Sequence, residues 1–84
     1  MQLNMNQNKL QIEINQIIEL TLGLRPVETD TLLIESYGAE SADIANITVA
    51  IEQKYNIQIS ESVLPELRTP RDFYNLVRNS RNNS

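Results

Sequence analysis

Apolar residues in this 84-residue chain recur every three or four positions and almost nowhere in alternation. Leu10, Ile14, Ile17 and Ile18 fall on one face of a helix over residues 8–22. Ile44, Ile47, Thr48, Ile51 and Tyr55 do the same over residues 41–55. Phe73, Leu76 and Val77 mark the inner face of a last helix. Only Ile57 and Ile59 alternate with polar neighbours, over a span too short to build a sheet. The period therefore predicts an all-α fold: a small four-helix bundle with a long loop between its first and second helices.

The punctuation agrees with the period. Gly23 can end the first helix in a left-handed conformation. Ser41 and Asp43 suit the start of the second, and Asn56 its end. Ser60 opens a brief third helix over residues 61–66, kept short by Pro65. Thr69-Pro70 places a good cap and a first-turn proline at the start of the last helix. Residues 24–40 are too long for a helix–helix turn, and Pro26, Asp30, Ser36 and Gly38 break them up. Leu32, Leu33, Ile34 and Tyr37 predict that part of this loop packs on the core, through a short helical turn. A single domain spanning residues 1–84 is expected, with fraying at 1–7 and 79–84.

Composition narrows the chemistry. With three Tyr, one Phe and no Trp, the core must be aliphatic. The absence of Cys removes disulfides and thiolate chemistry, and the absence of His removes the commonest general base and metal ligand. A serine nucleophile would need a base, and neither Lys9 nor Lys54 stands in a motif that supplies one. The net charge of −4 is unevenly spread: residues 28–66 carry −7 and residues 67–84 carry +3. That balance argues against nucleic acid as a partner. No apolar run has signal-peptide or transmembrane length, so a soluble cytoplasmic protein without membrane insertion is expected.

The informative stretch is Gly38-Ala39-Glu40-Ser41-Ala42-Asp43. Gly38 permits a sharp turn into the helix, and Ser41 follows at its N-terminus. A phosphate ester on Ser41 would meet the unpaired amides and the positive end of the helix dipole. Taken alone, the local chemistry favours a plainer reading, in which Ser41 is simply an N-cap, because Ser caps begin many helices.

This stretch resembles the attachment motif of acyl carrier proteins, Gly-x-Asp-Ser-Leu, with Glu40 for Asp and Ala42 for Leu. The resemblance runs on through most of the chain. Ala50-Ile51-Glu52-Gln53-Lys54-Tyr55 is similar to the close of the family's recognition helix. Ile57-Gln58-Ile59-Ser60 is similar to its Ile-x-Ile-Pro link, and Thr69-Pro70-Arg71-Asp72-Phe73 to the start of its last helix. Leu22-Gly23-Leu24 resembles the end of its first helix.

The resemblance implies a monomeric carrier. A phosphopantetheinyl transferase with Mg²⁺ would attach the 4′-phosphopantetheine of coenzyme A to Ser41. The arm's thiol would then hold acyl groups as thioesters for synthases and other acyl-loading and acyl-processing enzymes. Glu40, Ala42, Asp43, Asn46 and Glu52 would meet those partners. Ile47, Ile51, Leu67 and Leu76 would line the space taken by an acyl chain, or serve as ordinary core. No metal site is implied. Ala42 removes an exposed apolar contact that partners commonly use, and Asn46, Gln53 and Lys54 dilute a helix that is usually acidic, which points to a specialised carrier in fatty acid, polyketide or related lipid assembly. The same dilution keeps a stand-alone peptidyl or aminoacyl carrier in view. An unmodified helical interaction module is the third reading.

Overall fold

The computed structural model describes the backbone of residues 5–82 and the side chains of residues 9–80. Its elements are α1 (Met5–Thr21), α2 (Ser41–Tyr55), a 3₁₀ helix (Glu61–Glu66) and α3 (Pro70–Asn82). No strand occurs among the described residues. The all-α, four-helix architecture with a long first connection is thus the one that the period predicts. The expected fraying of residues 1–7 and 79–84 falls in part on 1–4 and 83–84, outside the described residues. α1 starts at Met5, and α3 runs on through the polar residues to Asn82.

The core is aliphatic around one fully buried aromatic ring, that of Phe73. Ile14, Ile18, Leu33, Ile47, Ile51, Phe73 and Val77 are fully buried. They come from all three α-helices and from the loop, and α1 packs against both α2 and α3. Ile17 and Leu76 are half-buried and flank this cluster, whereas Tyr74, beside Phe73, is buried. Thr48 is buried and donates its hydroxyl to the Ile44 carbonyl at 2.9 Å, and among the described residues no buried side-chain polar atom lacks a partner.

Each helix end uses the chemistry present in its sequence. Gly23 has φ +99°, and the Leu24 N–H returns to the Glu19 carbonyl, closing α1 in a Schellman arrangement. Asn56 ends α2 at φ 57°. Ser60 caps the 3₁₀ helix, its hydroxyl accepting the Ser62 N–H at 3.3 Å. The Thr69 hydroxyl accepts the Asp72 N–H at 3.2 Å, while the Asp72 carboxylate accepts the N–H groups of Thr69 and Arg68.

The long loop is tied down at several points. Leu33 is buried, and its N–H donates to the Arg68 carbonyl at 2.9 Å. The Arg71 N–H donates to the Thr29 carbonyl, and its side chain grips the Asp30 carboxylate through Nε at 2.7 Å and Nη2 at 3.1 Å. That hydrogen bond holds the Asp30 carboxyl below its ordinary range. Arg25 lies over the Tyr37 ring at 3.8 Å, and each of the two donates to the other's carbonyl. The expected helical turn is present: Ser36, Tyr37 and Gly38 N–H groups return to the Leu32 and Ile34 carbonyls. Only Leu33 of its apolar run is buried, since Leu32 and Ile34 stay exposed and Tyr37 is half-buried.

Candidate functional site at the start of α2

The loop delivers the chain to α2 in a fixed way. Gly38 turns with φ +93°, and the buried Ala39 donates its N–H to the Leu33 carbonyl at 2.8 Å. Glu40 is then extended and is the N-cap residue. Its N–H is accepted by the Asp43 carboxylate at 2.9 Å, and its carbonyl accepts the N–H groups of Asp43 and Ile44. Ser41 is therefore the first helical residue and not the cap, one position further in than an N-cap reading requires.

That shift leaves the Ser41 hydroxyl idle. Ser41 is exposed, and its side chain makes no hydrogen bond among the described residues. The hydroxyls of Ser60 and Thr69, by contrast, are engaged as caps. The N–H groups of Ser41 and Ala42 likewise find no acceptor among the described residues. Two free amides and the dipole of a 15-residue helix thus converge where an ester on Ser41 would project.

Beside Ser41 lies a cavity of about 330 Å³. Ile34, Ile44, Leu64, Pro65 and Leu67 give it apolar walls, and Glu35, Ser41 and Arg68 complete the lining. The loop, α2, the 3₁₀ helix and the segment leading to α3 all contribute. Of the four residues expected to face a cargo chain, Leu67 lines this cavity. Ile47 and Ile51 lie in the core, fully buried, and Leu76 is half-buried; none of these three is in the cavity wall. The sequence reading missed Ile34, Leu64, Pro65 and Arg68, because loop and 3₁₀ residues have no helical period to betray their facing. Ile44 carried a signal, since it sits one turn inside Ser41 on the inner stripe of α2.

The side chains expected to meet partners divide into two sets. Glu40, Ala42 and Asn46 are exposed. Asp43 and Glu52 are half-buried and occupied: Asp43 holds the Glu40 N–H, and Glu52 accepts the Ile59 N–H at 2.7 Å. The outer face of α2 next to Ser41 therefore presents Ala42, Ala45, Asn46 and the half-exposed Val49.

An idle serine at a helix start, beside an apolar cavity in a small bundle, is the framework of a carrier for a tethered group. The family model described as the phosphopantetheine attachment site matches residues 13–77. The acyl carrier protein of Chlamydia trachomatis serovar D is 31% identical over 75 residues, covering 87% of this chain and 97% of that protein. The acyl carrier protein of Campylobacter hominis is 29% identical over 73 residues, covering 84% of this chain and 92% of that one. That of Buchnera aphidicola is 28% identical over 68 residues, 79% of this chain and 87% of its own length. The chain belongs to the acyl carrier protein family. It is a carrier, and its prosthetic group is a covalently attached 4′-phosphopantetheine. The residues present suit such a group: an unengaged hydroxyl, two free amides for an anion, and an apolar cavity alongside. A thiol borne on the arm would supply what a chain without Cys lacks. No described helix is long and apolar enough to cross a membrane.

Proposed function

We propose that Ser41 bears the arm and presents acyl thioesters to the enzymes of fatty acid, polyketide or related lipid biosynthesis, as a specialised carrier in the cytoplasm. The observation that carries this reading is the idle Ser41 hydroxyl, exposed at a helix start whose cap is made by Glu40 and Asp43. A transferase brings coenzyme A to it; the Ser41 oxygen forms a bond to the phosphorus that carries pantetheine. The pyrophosphate bond breaks, the adenosine bisphosphate portion leaves, and the hydroxyl proton passes to a base of the transferase. Intact mass after incubation with coenzyme A, Mg²⁺ and a broad-specificity transferase should show one added phosphopantetheine. Fragmentation should place it on Ser41. No mass gain would favour the unmodified interaction module.

The cavity suggests where the cargo goes. Ile44 and Leu67 offer the acyl chain apolar walls close to its point of attachment. A chain that enters binds only the folded state and should raise the melting temperature. Each buried methylene contributes at most about 0.8 kcal/mol, and less where the walls must part. The melting temperature of thioesters should therefore climb with chain length and level off once the cavity is full. A flat series would leave the chain outside.

The face of α2 supports the specialised role. From Ser41 to Tyr55 only Asp43 and Glu52 stand against Lys54, and both carboxylates are held by backbone N–H groups, so beyond the exposed Glu40 a basic partner meets little negative charge around Ala42, Asn46 and Val49. Adding Ala42→Leu, Asn46→Glu and Lys54→Glu should speed loading by a housekeeping transferase or synthase. The gain should shrink with salt, because exposed charges are screened over about 10 Å at 0.1 M. Equal rates at low salt would remove this explanation. The same neutral face also suits a peptidyl or aminoacyl carrier, which identification of the loaded group would reveal.

A further inference from the structure

We propose that Arg68 is a positioning residue for the prosthetic arm: its guanidinium holds the phosphodiester formed at Ser41 and turns the arm over the mouth of the apolar cavity. The inference rests on Ser41 as the attachment point. Arg68 and Ser41 line the same cavity from different segments, Ser41 from the first turn of α2 and Arg68 from the link before α3. The Arg68 backbone is pinned on both sides. Its N–H donates to the Asp72 carboxylate at 2.9 Å, and its carbonyl accepts the Leu33 N–H at 2.9 Å. The root of the side chain is thus fixed by the cap of α3 and by the buried point of the loop.

The guanidinium at the end of that side chain is uncommitted. Arg71 is held by Asp30, and Arg25 by Tyr37. Arg68 is exposed, and its guanidinium has no hydrogen bond or ion pair among the described residues. Glu35 lines the same cavity, yet the two form no ion pair. An anion at Ser41 would be repelled by Glu35 and drawn to Arg68. A phosphodiester on the Ser41 oxygen starts inside this shared space, with two free oxygens. Those oxygens match the planar fork of a guanidinium, while the Ser41 and Ala42 amides approach from the helix side. Anchoring the phosphate toward Arg68 sets the rest of the arm on a path across the walls made by Leu64 and Leu67.

The test uses the full chain as wild type, Arg68→Gln and Arg68→Lys, each converted to the holo form and checked by intact mass. The apo proteins should melt together, since the side chain bonds to nothing among the described residues and its backbone contacts survive. In the holo forms, the ³¹P resonance of the wild-type phosphodiester should be displaced from that of Arg68→Gln, with Arg68→Lys between them. The displacement should fade as salt rises from about 0.1 M to about 1 M, where the screening length falls to about 3 Å. Conversion from apo to holo should also raise the melting temperature more in the wild type than in Arg68→Gln. Coincident ³¹P resonances in three fully loaded proteins would overturn the role of Arg68 while leaving Ser41 as the attachment point. A difference that emerges only when the arm bears a malonyl group would overturn it too, by assigning the guanidinium to a cargo carboxylate. Absence of any mass gain in the wild type would instead strike the attachment reading itself.

Discussion

Ser41→Ala should abolish phosphopantetheine attachment completely and leave folding unchanged. The first half follows from chemistry, because the methyl group offers no oxygen for the new bond to phosphorus. The second half follows from geometry. Loss of a serine cap costs typically about 1 kcal/mol, but the cap of α2 is built from Glu40 and Asp43, and the Ser41 hydroxyl bonds to nothing described. An exposed position of this kind should shift stability by no more than about 0.5 kcal/mol. Thr69→Ala is the natural control, since that hydroxyl does accept the Asp72 N–H and its removal should show the full cap penalty. The measurements are intact mass after transferase treatment and urea denaturation of the apo proteins. A labelled Ser41→Ala protein would place the arm elsewhere. A Ser41→Ala protein destabilised as much as Thr69→Ala would restore Ser41 to a structural role.

Phe73→Ala should come close to unfolding the protein. Phe73 is fully buried and is the one Phe in a chain without Trp. Truncating a buried Phe to Ala costs about 3–5 kcal/mol, because apolar contact is lost and a cavity remains. A domain of this size has a total of about 4–13 kcal/mol at 0.05–0.15 kcal/mol per residue. The low end of that range would be erased. Phe73→Leu should be far milder, since it keeps most of the volume and the apolar character. Urea midpoints read by circular dichroism would separate the two variants. If Phe73→Ala unfolds no more easily than Phe73→Leu, the ring is not the keystone of the core that its burial implies.

Local chemistry in the sequence was enough for the helices and most of their limits, although α1 begins earlier, at Met5, and α3 runs on to Asn82. Three-four spacing of Ile and Leu names the faces of α1 and α2, and α2 occupies Ser41–Tyr55 as the pattern predicts. Gly23, Asn56, Ser60 and Thr69-Pro70 each end or begin a helix where their backbone and side-chain preferences place them. The segment with Pro65 is the short, tight 3₁₀ helix that a proline permits. These features depend on neighbours within one or two turns, so they can be read in one dimension.

What the sequence could not settle depends on distant segments meeting. Glu40 and Asp43 are close in the chain, yet whether they or Ser41 cap α2 turned on how the loop enters, and that is set by Gly38 and by Ala39 bound to Leu33. The cavity wall came from Ile34 in the loop, Ile44 in α2, and Leu64 and Leu67 around the 3₁₀ helix, which share no period. Of the four residues that the resemblance set against an acyl chain, Ile47, Ile51 and Leu67 are buried, Leu76 is half-buried, and only Leu67 reaches the cavity, because burial does not reveal what lies opposite a side chain. Arg68 carries no local signal at all. Its nearness to Ser41 arises when its backbone, held by Leu33 and Asp72, is laid beside the start of α2. Sequence alone therefore determined the helices and set Ser41 at the start of α2, since both rest on short-range backbone and side-chain preferences; tertiary packing alone decided the surroundings of the Ser41 hydroxyl, since these are assembled from side chains that are neighbours only in space.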